Sequence, residues 1–279
     1  MTYLPAGKTY CKIAKRIVII GLLDLRKILA KGRNDKMQIL IIRHGDPDYS
    51  IDSLTEKGWR EAELLAERLS KLDIKAFYVS PLGRAKDTAS LTLKKMNREA
   101  TELPWMQEFF GADIARPDAD GRTIVWDWLP QDWTKEKNYY DKEKWADSPI
   151  MQDSTVLKEY QWVAGGLDKL LAEYGYVRDG NYYRVEKANA DRIVLICHFG
   201  VECVMLSHLL GISPMVMWHG FCAAPTSVTT INTEERRKGI ASFRVSSFGD
   251  TSHLYAAGEP ASFHARFCEF YGKEGERTD

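Results

Sequence analysis

Three short apolar runs of the sequence each lead into arginine or histidine side chains that can bind an oxyanion. The first run ends in Arg43-His44-Gly45, the second leads into Ser80-Pro-Leu-Gly-Arg84, and the third ends in Cys197-His198-Phe199-Gly200. Arginine binds phosphate through paired hydrogen bonds, and a neutral imidazole can act as nucleophile or proton carrier. A single histidine at a strand end is more often structural, so the repetition of the pattern is what predicts an oxyanion site.

The segments before these motifs predict where the side chains lie. Residues 38–42, 76–79 and 192–197 are continuous apolar runs, typical of strands buried on both faces of a sheet. Helical patterns alternate with them, which predicts an α/β fold with a mostly parallel sheet in three α/β/α layers. Ligands of such sheets bind beyond the carboxyl ends of the strands. The sequence therefore predicts one crevice that holds two arginines and two histidines.

The other elements are predicted from their periodicity and their end signals. Thr55 and Ser80 are predicted N-caps, the latter followed by a proline at the first helical position. Gly211 predicts a helix end, and Asp179-Gly180 predicts a hairpin turn. The helical patterns cover residues 62–72, 81–96, 156–174 and 201–209, and the further strands cover 227–232 and 242–246.

Residues 111–153 interrupt this alternation with weak periodicity and four tryptophans, and we interpret them as an inserted lid or subdomain. The tryptophans are Trp126, Trp128, Trp133 and Trp145. They would form either a small hydrophobic core for the insertion or a wall of the substrate site, since insertions near a site set its specificity.

Residues 1–36 form a basic N-terminal extension before the predicted domain of residues 37–279. The extension holds nine lysines and arginines against two aspartates, whereas the whole chain has a formal net charge of zero. It could be an accessory helix, a basic arm that binds a surface, or sequence upstream of the true start. The acidic balance of the remainder argues against nucleic-acid binding by the main body.

Together these motifs resemble the histidine phosphatase superfamily, which has the phosphoglycerate mutase-like fold. The resemblance rests on Arg43-His44-Gly45, Leu54-Thr-Glu-Lys-Gly58, Ser80-Pro-Leu-Gly-Arg84-Ala and Cys197-His198-Phe-Gly200. Residues 226–229 and 250–254 are similar to the closing segments of the family. The resemblance covers residues 37–257, apart from most of the tryptophan-rich insertion.

The resemblance implies that His44 is a nucleophile that takes the phosphoryl group, with its second ring nitrogen held by a backbone carbonyl. Arg43, Arg84 and His198 would bind the phosphoryl oxygens and neutralise charge in the transition state. Phe199, which stands where the family usually has glycine, is grouped with these phosphate-binding residues as an aromatic wall. The implied enzyme is a metal-independent phosphomonoesterase without a cofactor.

The leaving group needs a proton, which the family draws from a carboxylic acid after the second helix. Residues 105–111 resemble that segment, so that Glu108 is the expected general acid, with Glu102 and then Asp113 as alternatives. A mutase-type phosphotransferase is a second hypothesis, although residues 46–54 lack the Trp-Asn pair of the family's mutases. A non-catalytic sensor of a phosphorylated ligand is the third.

Other features of the sequence limit or question these expectations. Pro47 and Asp48 replace residues that bind phosphate in the family, and Asp48 would repel phosphate unless its side chain turns away. His208 and His219 are expected to be structural, and His253 is a weak candidate near the site edge. No His or Cys spacing predicts a zinc site.

The expected setting is cytoplasmic. Five cysteines without a Cys-x-x-Cys pair suggest buried thiols in a reducing compartment. The longest N-terminal apolar run, residues 17–23, is far shorter than the ~20 residues of a membrane span. The expected partner is a small phosphorylated substrate, with neither nucleic acid nor stable membrane insertion.

Overall fold

The structure is a computed structural model, and it describes residues 36–110 and 113–262. The predictions for residues 1–35, for the end of the chain beyond residue 262 and for residues 111–112 lie outside the described residues. The described strands are β1 (Gln38–Arg43), β2 (Pro47–Asp48), β3 (Ser53–Leu54), β4 (Ala76–Val79), β5 (Ala100–Glu102), β6 (Tyr176–Asp179), β7 (Tyr182–Val185), β8 (Arg192–Cys197), β9 (Val228–Arg237) and β10 (Ile240–Asp250).

Helices lie between β3 and β4, between β4 and β5, between β5 and β6, and between β8 and β9. Two 3₁₀ turns, Pro104–Met106 and Lys137–Tyr140, lie in the long connection from β5 to β6. The described helices are α1 (Glu56–Leu69), α2 (Gly83–Met96), α3 (Pro130–Trp133), α4 (Pro149–Gln152), α5 (Val156–Glu173), α6 (Phe199–Leu210), α7 (Pro214–Gly220) and α8 (Ser252–Ala256).

Eight strands form one sheet in the order β5-β4-β8-β1-β9-β10-β7-β6, and β2 and β3 pair separately. The first four strands of this order pair in parallel, and the remaining pairs are antiparallel. By direction, only β9 and β7 run opposite to the rest of the sheet. The prediction of a mostly parallel sheet is confirmed, although half of the sheet is built from antiparallel pairs.

The register of the parallel strands brings the predicted motifs together. Arg43 pairs with Cys197 across β1 and β8, and Val79 at the end of β4 pairs with Ile196. The three strands thus end at the same level, as parallel strands with aligned ends must. His44, Ser80 and His198 follow directly at this edge of the sheet.

Hydrophobic side chains cover both faces of the sheet. Leu40 and Ile42 of β1 point into a core with α1 and α2, whereas Ile39 and Ile41 point into a larger core with α5 and α6. This alternation follows from the two-residue period of a strand. The arrangement confirms the three layers predicted from the sequence.

The tryptophan-rich segment shares the core of the larger face. Trp126, Trp128 and Trp145 are buried in the same cluster as β1 and α6, and Trp133 packs against it. Trp126 and Trp145 lie 6.2 and 5.9 Å from the ring of Trp218 on α7. The expectation of a small separate core was therefore wrong, because these rings pack against the domain itself.

The end signals were right except at α2. Thr55 accepts the N–H of Gly58 as predicted, and Gly211 ends α6 with a φ of 66°. The predicted N-cap at Ser80 was wrong, since α2 begins at Gly83 with Leu82 at the N-cap. The hydroxyl of Ser80 instead contacts the ring of His198.

Candidate active site

The strand ends bring two buried histidine rings into contact beside two buried arginines. The ring centroids of His44 and His198 lie 5.0 Å apart. His44, Arg43, Arg84 and His198 are all buried. Four such side chains from three separate strand ends form a cluster of hydrogen-bond donors and positive charge, which is the chemistry of an oxyanion site.

The hydrogen bonds of His44 fix its tautomer. Nδ1 of His44 lies 2.7 Å from the carbonyl oxygen of Gly45, which can only accept, so Nδ1 carries the ring proton. The reactive lone pair is then on Nε2. The backbone of the motif is held as well, since His44 N donates to Cys197 O, and Thr226 N donates to the carbonyls of Arg43 and His44.

His198 has a neutral ring whose orientation is set by Ser80. Burial lowers the pKa of His198 well below its ordinary value, and His44, Arg84 and Arg43 lower it further. The Ser80 hydroxyl accepts the N–H of Leu82 and lies 2.7 Å from Nε2 of His198, to which it can donate its own proton. The ring proton is then on Nδ1, a buried atom without a hydrogen-bond partner among the described residues. A buried donor of this kind suits an oxyanion.

The two arginines are held by groups outside the strand-end motifs. Arg43 Nη1 donates to the carbonyl of Ala223 at 2.6 Å. Arg84 Nη1 donates to Asp52 Oδ1 at 2.5 Å, and Gly83 N donates to Asp52 Oδ2 at 2.6 Å. Burial acts to raise the pKa of Asp52, but these hydrogen bonds outweigh it and lower the pKa. Asp52 therefore stays ionised and positions Arg84.

Glu108 lies at the N-terminus of α6. Its Oε1 accepts the N–H groups of Phe109 and Val201 at 2.7 and 3.1 Å, and its Oε2 accepts that of Gly200 at 3.3 Å. Burial raises the pKa of Glu108, against the lowering by these hydrogen bonds and by the positive charges of Arg43 and Arg84. A carboxyl that keeps its proton at higher pH is suited to donate it.

A cavity of about 290 Å³ brings the acid and the arginines to one space. Among the described residues it is lined by Arg43, Tyr49, Arg84, Glu108, Phe110, Ile124, Trp126 and Phe199. The sequence predicted the charged residues, Phe199 and a tryptophan as possible wall, but not Tyr49, Phe110 or Ile124. These three lie in connections without periodicity, and only the fold brings them to the cavity.

The family model of the histidine phosphatase superfamily (branch 1) matches residues 39–150. Over these residues the chain is similar to this superfamily. That match includes both arginines, His44 and Glu108, whereas His198 lies beyond its end. The sequence resemblance is thereby confirmed.

Proteins similar to this chain include a phosphoserine phosphatase 1 of Hydrogenobacter thermophilus, 24% identical over 228 residues, which are 78% of this chain and 94% of that protein. A 2,3-bisphosphoglycerate-dependent phosphoglycerate mutase of Thermoplasma acidophilum is 40% identical over 70 residues, 22% of this chain and 35% of that protein. Phosphoserine phosphatase from Entamoeba histolytica, crystallised with 3-phosphoglyceric acid, has a TM-score of 0.51 at 21% identity, over 78% of this chain and 99% of that one. The fold is shared with this last enzyme.

The alternative acids, Glu102 and Asp113, lie away from the cavity. Glu102 on β5 forms an ion pair with Lys86 at 2.6 Å, and Asp113 is exposed. Asp48 is turned into its own loop, where its Oδ1 accepts the N–H and the hydroxyl of Ser50. Asp48 also does not line the described part of the cavity.

The remaining histidines are engaged elsewhere, as the sequence suggested. His208 contacts Asp168 at 2.9 Å, and His219 contacts the carbonyl of Met215 at 2.7 Å. His253 lies 3.2 Å from the hydroxyl of Thr226, and burial lowers its pKa to about 4. Within residues 36–110 and 113–262, no group of three or more His, Cys, Asp or Glu side chains could hold a metal ion. No helix in this part of the chain is long and apolar enough to cross a bilayer.

Proposed function

We propose that the protein is a phosphate-monoester hydrolase that acts on a small phosphorylated substrate through a phosphohistidine intermediate on His44. One observation carries the proposal. The Nδ1 proton of His44 is bonded to the carbonyl of Gly45, which leaves Nε2 nucleophilic. The ring of His198 lies 5.0 Å away, and the buried Arg43 and Arg84 are close enough to lower the pKa of His198. This combination of a fixed nucleophile with donors for phosphoryl oxygens is what phosphoryl transfer requires of a protein.

The first half of the reaction forms the intermediate. Arg43, Arg84 and the Nδ1–H of His198 bind the non-bridging oxygens, and Nε2 of His44 attacks phosphorus as the ester P–O bond breaks. Glu108 gives its proton to the departing oxygen, so that an alcohol leaves rather than an alkoxide. The raised pKa of Glu108 supports this role, since the carboxyl must be protonated when the substrate binds.

The second half returns the enzyme to its starting state. The carboxylate of Glu108 takes a proton from water, the water oxygen attacks phosphorus, and the P–N bond to His44 breaks. Inorganic phosphate leaves, Nε2 regains its lone pair, and Glu108 is protonated again. Residues on this chain supply every proton and every charge in the cycle, and we expect turnover without a metal ion.

A mutase-type phosphotransferase is the second candidate, favoured by the 40% identity to a phosphoglycerate mutase over 70 residues. It would need the alcohol of a second substrate to replace water in the second half. Hydrolysis releases inorganic phosphate, whereas transfer conserves the ester, so a phosphate assay separates the two. A sensor without turnover would do neither.

The test is phosphate release from a generic aryl phosphate by the full chain, with and without a chelator. We expect equal rates in both, and a loss of at least about a thousandfold in His44→Ala. His208→Gln is the matched control, since His208 contacts Asp168 away from the cavity and its change leaves turnover within about twofold. Undiminished hydrolysis by His44→Ala would refute the mechanism.

A further inference from the structure

The cavity wall beyond the reacting groups is apolar. Of the residues that line it, Arg43, Arg84 and Glu108 serve the phosphoryl group and the leaving oxygen in the proposed mechanism. The others are Tyr49, Phe110, Ile124, Trp126 and Phe199. Four aromatic rings and one branched aliphatic chain therefore face whatever the phosphate is attached to.

Among the described residues, no further cation lines the cavity to pair with a carboxylate on the substrate. Neither a lysine nor a third arginine lines the described part of the cavity, and Gly111 and Ala112, between the described ranges, carry no charge. The Tyr49 phenol is neutral, because burial raises its pKa in spite of Arg43 and Arg84. A carboxylate placed here would lose water without gaining a cationic partner from the described residues, which is costly.

Parts of this apolar wall are fixed in place. The carbonyl of Trp126 accepts Arg116 Nη1 at 2.5 Å, and Arg116 is itself paired with Asp118. The Arg84 guanidinium lies 5.3 Å from the centre of the Tyr49 ring, a cation–π distance. Phe110 is more open, with 45% of its surface exposed at the rim.

The volume allows one ring beside the phosphoryl group. An apolar protein cavity of about 150 Å³ is enough to bind benzene. The 290 Å³ of this cavity therefore leave room for a single aromatic ring and a short linker. A bulky sugar or nucleotide would extend past the rim at Phe110.

We propose that the preferred substrates are phosphate monoesters of small aryl or arylalkyl alcohols, and that the site discriminates against esters carrying a carboxylate near the phosphate. This inference rests on the proposed function, and Tyr49, Phe110, Ile124, Trp126 and Phe199 are its specificity-determining residues. It sets this chain apart from relatives described as acting on or binding charged phospho-acids.

Turnover is compared on 2-phenylethyl phosphate, ethyl phosphate and O-phosphoserine, whose leaving groups are all primary alcohols. We expect kcat/KM to fall in that order, with about a hundredfold between the first and the last. Phe110→Arg adds a cation at the rim, and we expect it to raise kcat/KM for O-phosphoserine at least about tenfold relative to ethyl phosphate. The matched control is Ile51→Arg, an equal charge at a residue that is 68% exposed and does not line the cavity. It should leave that ratio within about twofold.

Affinity decides the inference independently of turnover. Binding of 2-phenylethylphosphonate and of 2-amino-4-phosphonobutanoate, both inert to hydrolysis, is measured from the tryptophan fluorescence of the full chain. Binding at least about tenfold tighter for the phenyl compound supports the inference even if no ester is hydrolysed, in which case only the proposed function fails. Equal or tighter binding of the amino acid overturns the inference, even in an active phosphatase.

Discussion

Gly200→Ala should disable the proposed acid without touching the nucleophile. Gly200 is the second residue of α6, and its N–H donates to Glu108. A Cβ at this position would lie 2.6 Å from Glu108 Oε1 and 2.6 Å from Cη2 of Trp126. The backbone is helical, so the added methyl group causes no conformational strain of its own. What it changes is the space between the helix, the acid and the cavity wall.

The distances set the size of the effect. Ordinary contact begins near 3.4 Å, so the carboxyl must retreat by about 0.8 Å or the Trp126 ring must shift. Glu108 is held by three N–H groups, and any such movement stretches those bonds. A misplacement of ~1 Å in a reacting group costs about a hundredfold. We expect that loss in kcat/KM for 2-phenylethyl phosphate, and tenfold or less for 4-nitrophenyl phosphate, whose leaving group hardly needs the proton.

The fold should survive the substitution. Overpacking costs about 1–3 kcal/mol, and the replacement of glycine within a helix returns up to about 1 kcal/mol. The net loss corresponds to a melting temperature lower by a few degrees, at about 2–4 °C per kcal/mol in a domain of this size. Circular dichroism and thermal melting of the variant check this before its kinetics are interpreted.

Gly165→Ala is the matched control, because a Cβ on Gly165 of α5 meets nothing within 4 Å. We expect full activity from it and a slightly higher melting temperature. The reasoning about Glu108 is refuted if Gly200→Ala is folded and hydrolyses both esters at wild-type rates. It is also refuted if both esters lose the same factor, since that pattern indicates damage to the phosphoryl site.

Three further changes test other parts of the site. Glu108→Gln should lower kcat on alkyl phosphates by about 10²–10⁴-fold. In pH–rate profiles, the wild type should lose activity as pH rises through the raised pKa of Glu108, and the variant should not show this loss. Asp52→Asn keeps a side chain that tolerates the φ of 49° at this position, but it removes the negative charge that holds Arg84. Steady-state kinetics should show about a fivefold loss in kcat/KM, which corresponds to about 1 kcal/mol. The control variant Glu102→Gln should keep the wild-type kcat/KM. Glu202→Gln concerns stability. Burial raises the pKa of Glu202 from 4.5 to about 7, so the folded state binds the extra proton and wild-type stability falls as pH rises through this window. Denaturant unfolding should give Glu202→Gln a free energy of unfolding about 3 kcal/mol above that of the wild type at pH 8, and most of this difference should be lost at pH 5. An equal difference at both pH values would contradict the raised pKa of Glu202.

The parallel half of the sheet could be predicted because its strands are buried on both faces. A mostly apolar run such as residues 192–197 indicates a strand in the interior of the protein. The antiparallel strands β9 and β10 were predicted too short, at 227–232 and 242–246. Their outer halves are partly exposed and rich in charged or polar residues, so no apolar run marks them. Their mutual pairing, rather than burial, extends them.

The core of the site could be predicted for a related reason. Arg43, His44 and His198 follow buried strands, and aligned parallel strands must bring such residues to one edge. The supporting residues could not be found in this way. Asp52 and Tyr49 lie in a hairpin connection whose position over the site depends on tertiary packing. The error at Ser80 has the same origin, because its hydroxyl has a partner 118 residues away that no local pattern reveals.

The N-terminus of α6 links the two halves of the proposed chemistry. His198 precedes this helix as a donor to the phosphoryl group, and the N–H groups of Gly200 and Val201 hold Glu108. In the unliganded site the charges of Arg43 and Arg84 lower the pKa of Glu108, whereas the burial of this carboxyl raises it. A bound phosphate dianion neutralises those charges, and this lowering is cancelled. The proposed acid thus holds its proton most firmly when a substrate is present, and the departing alkoxide oxygen becomes basic enough to take that proton.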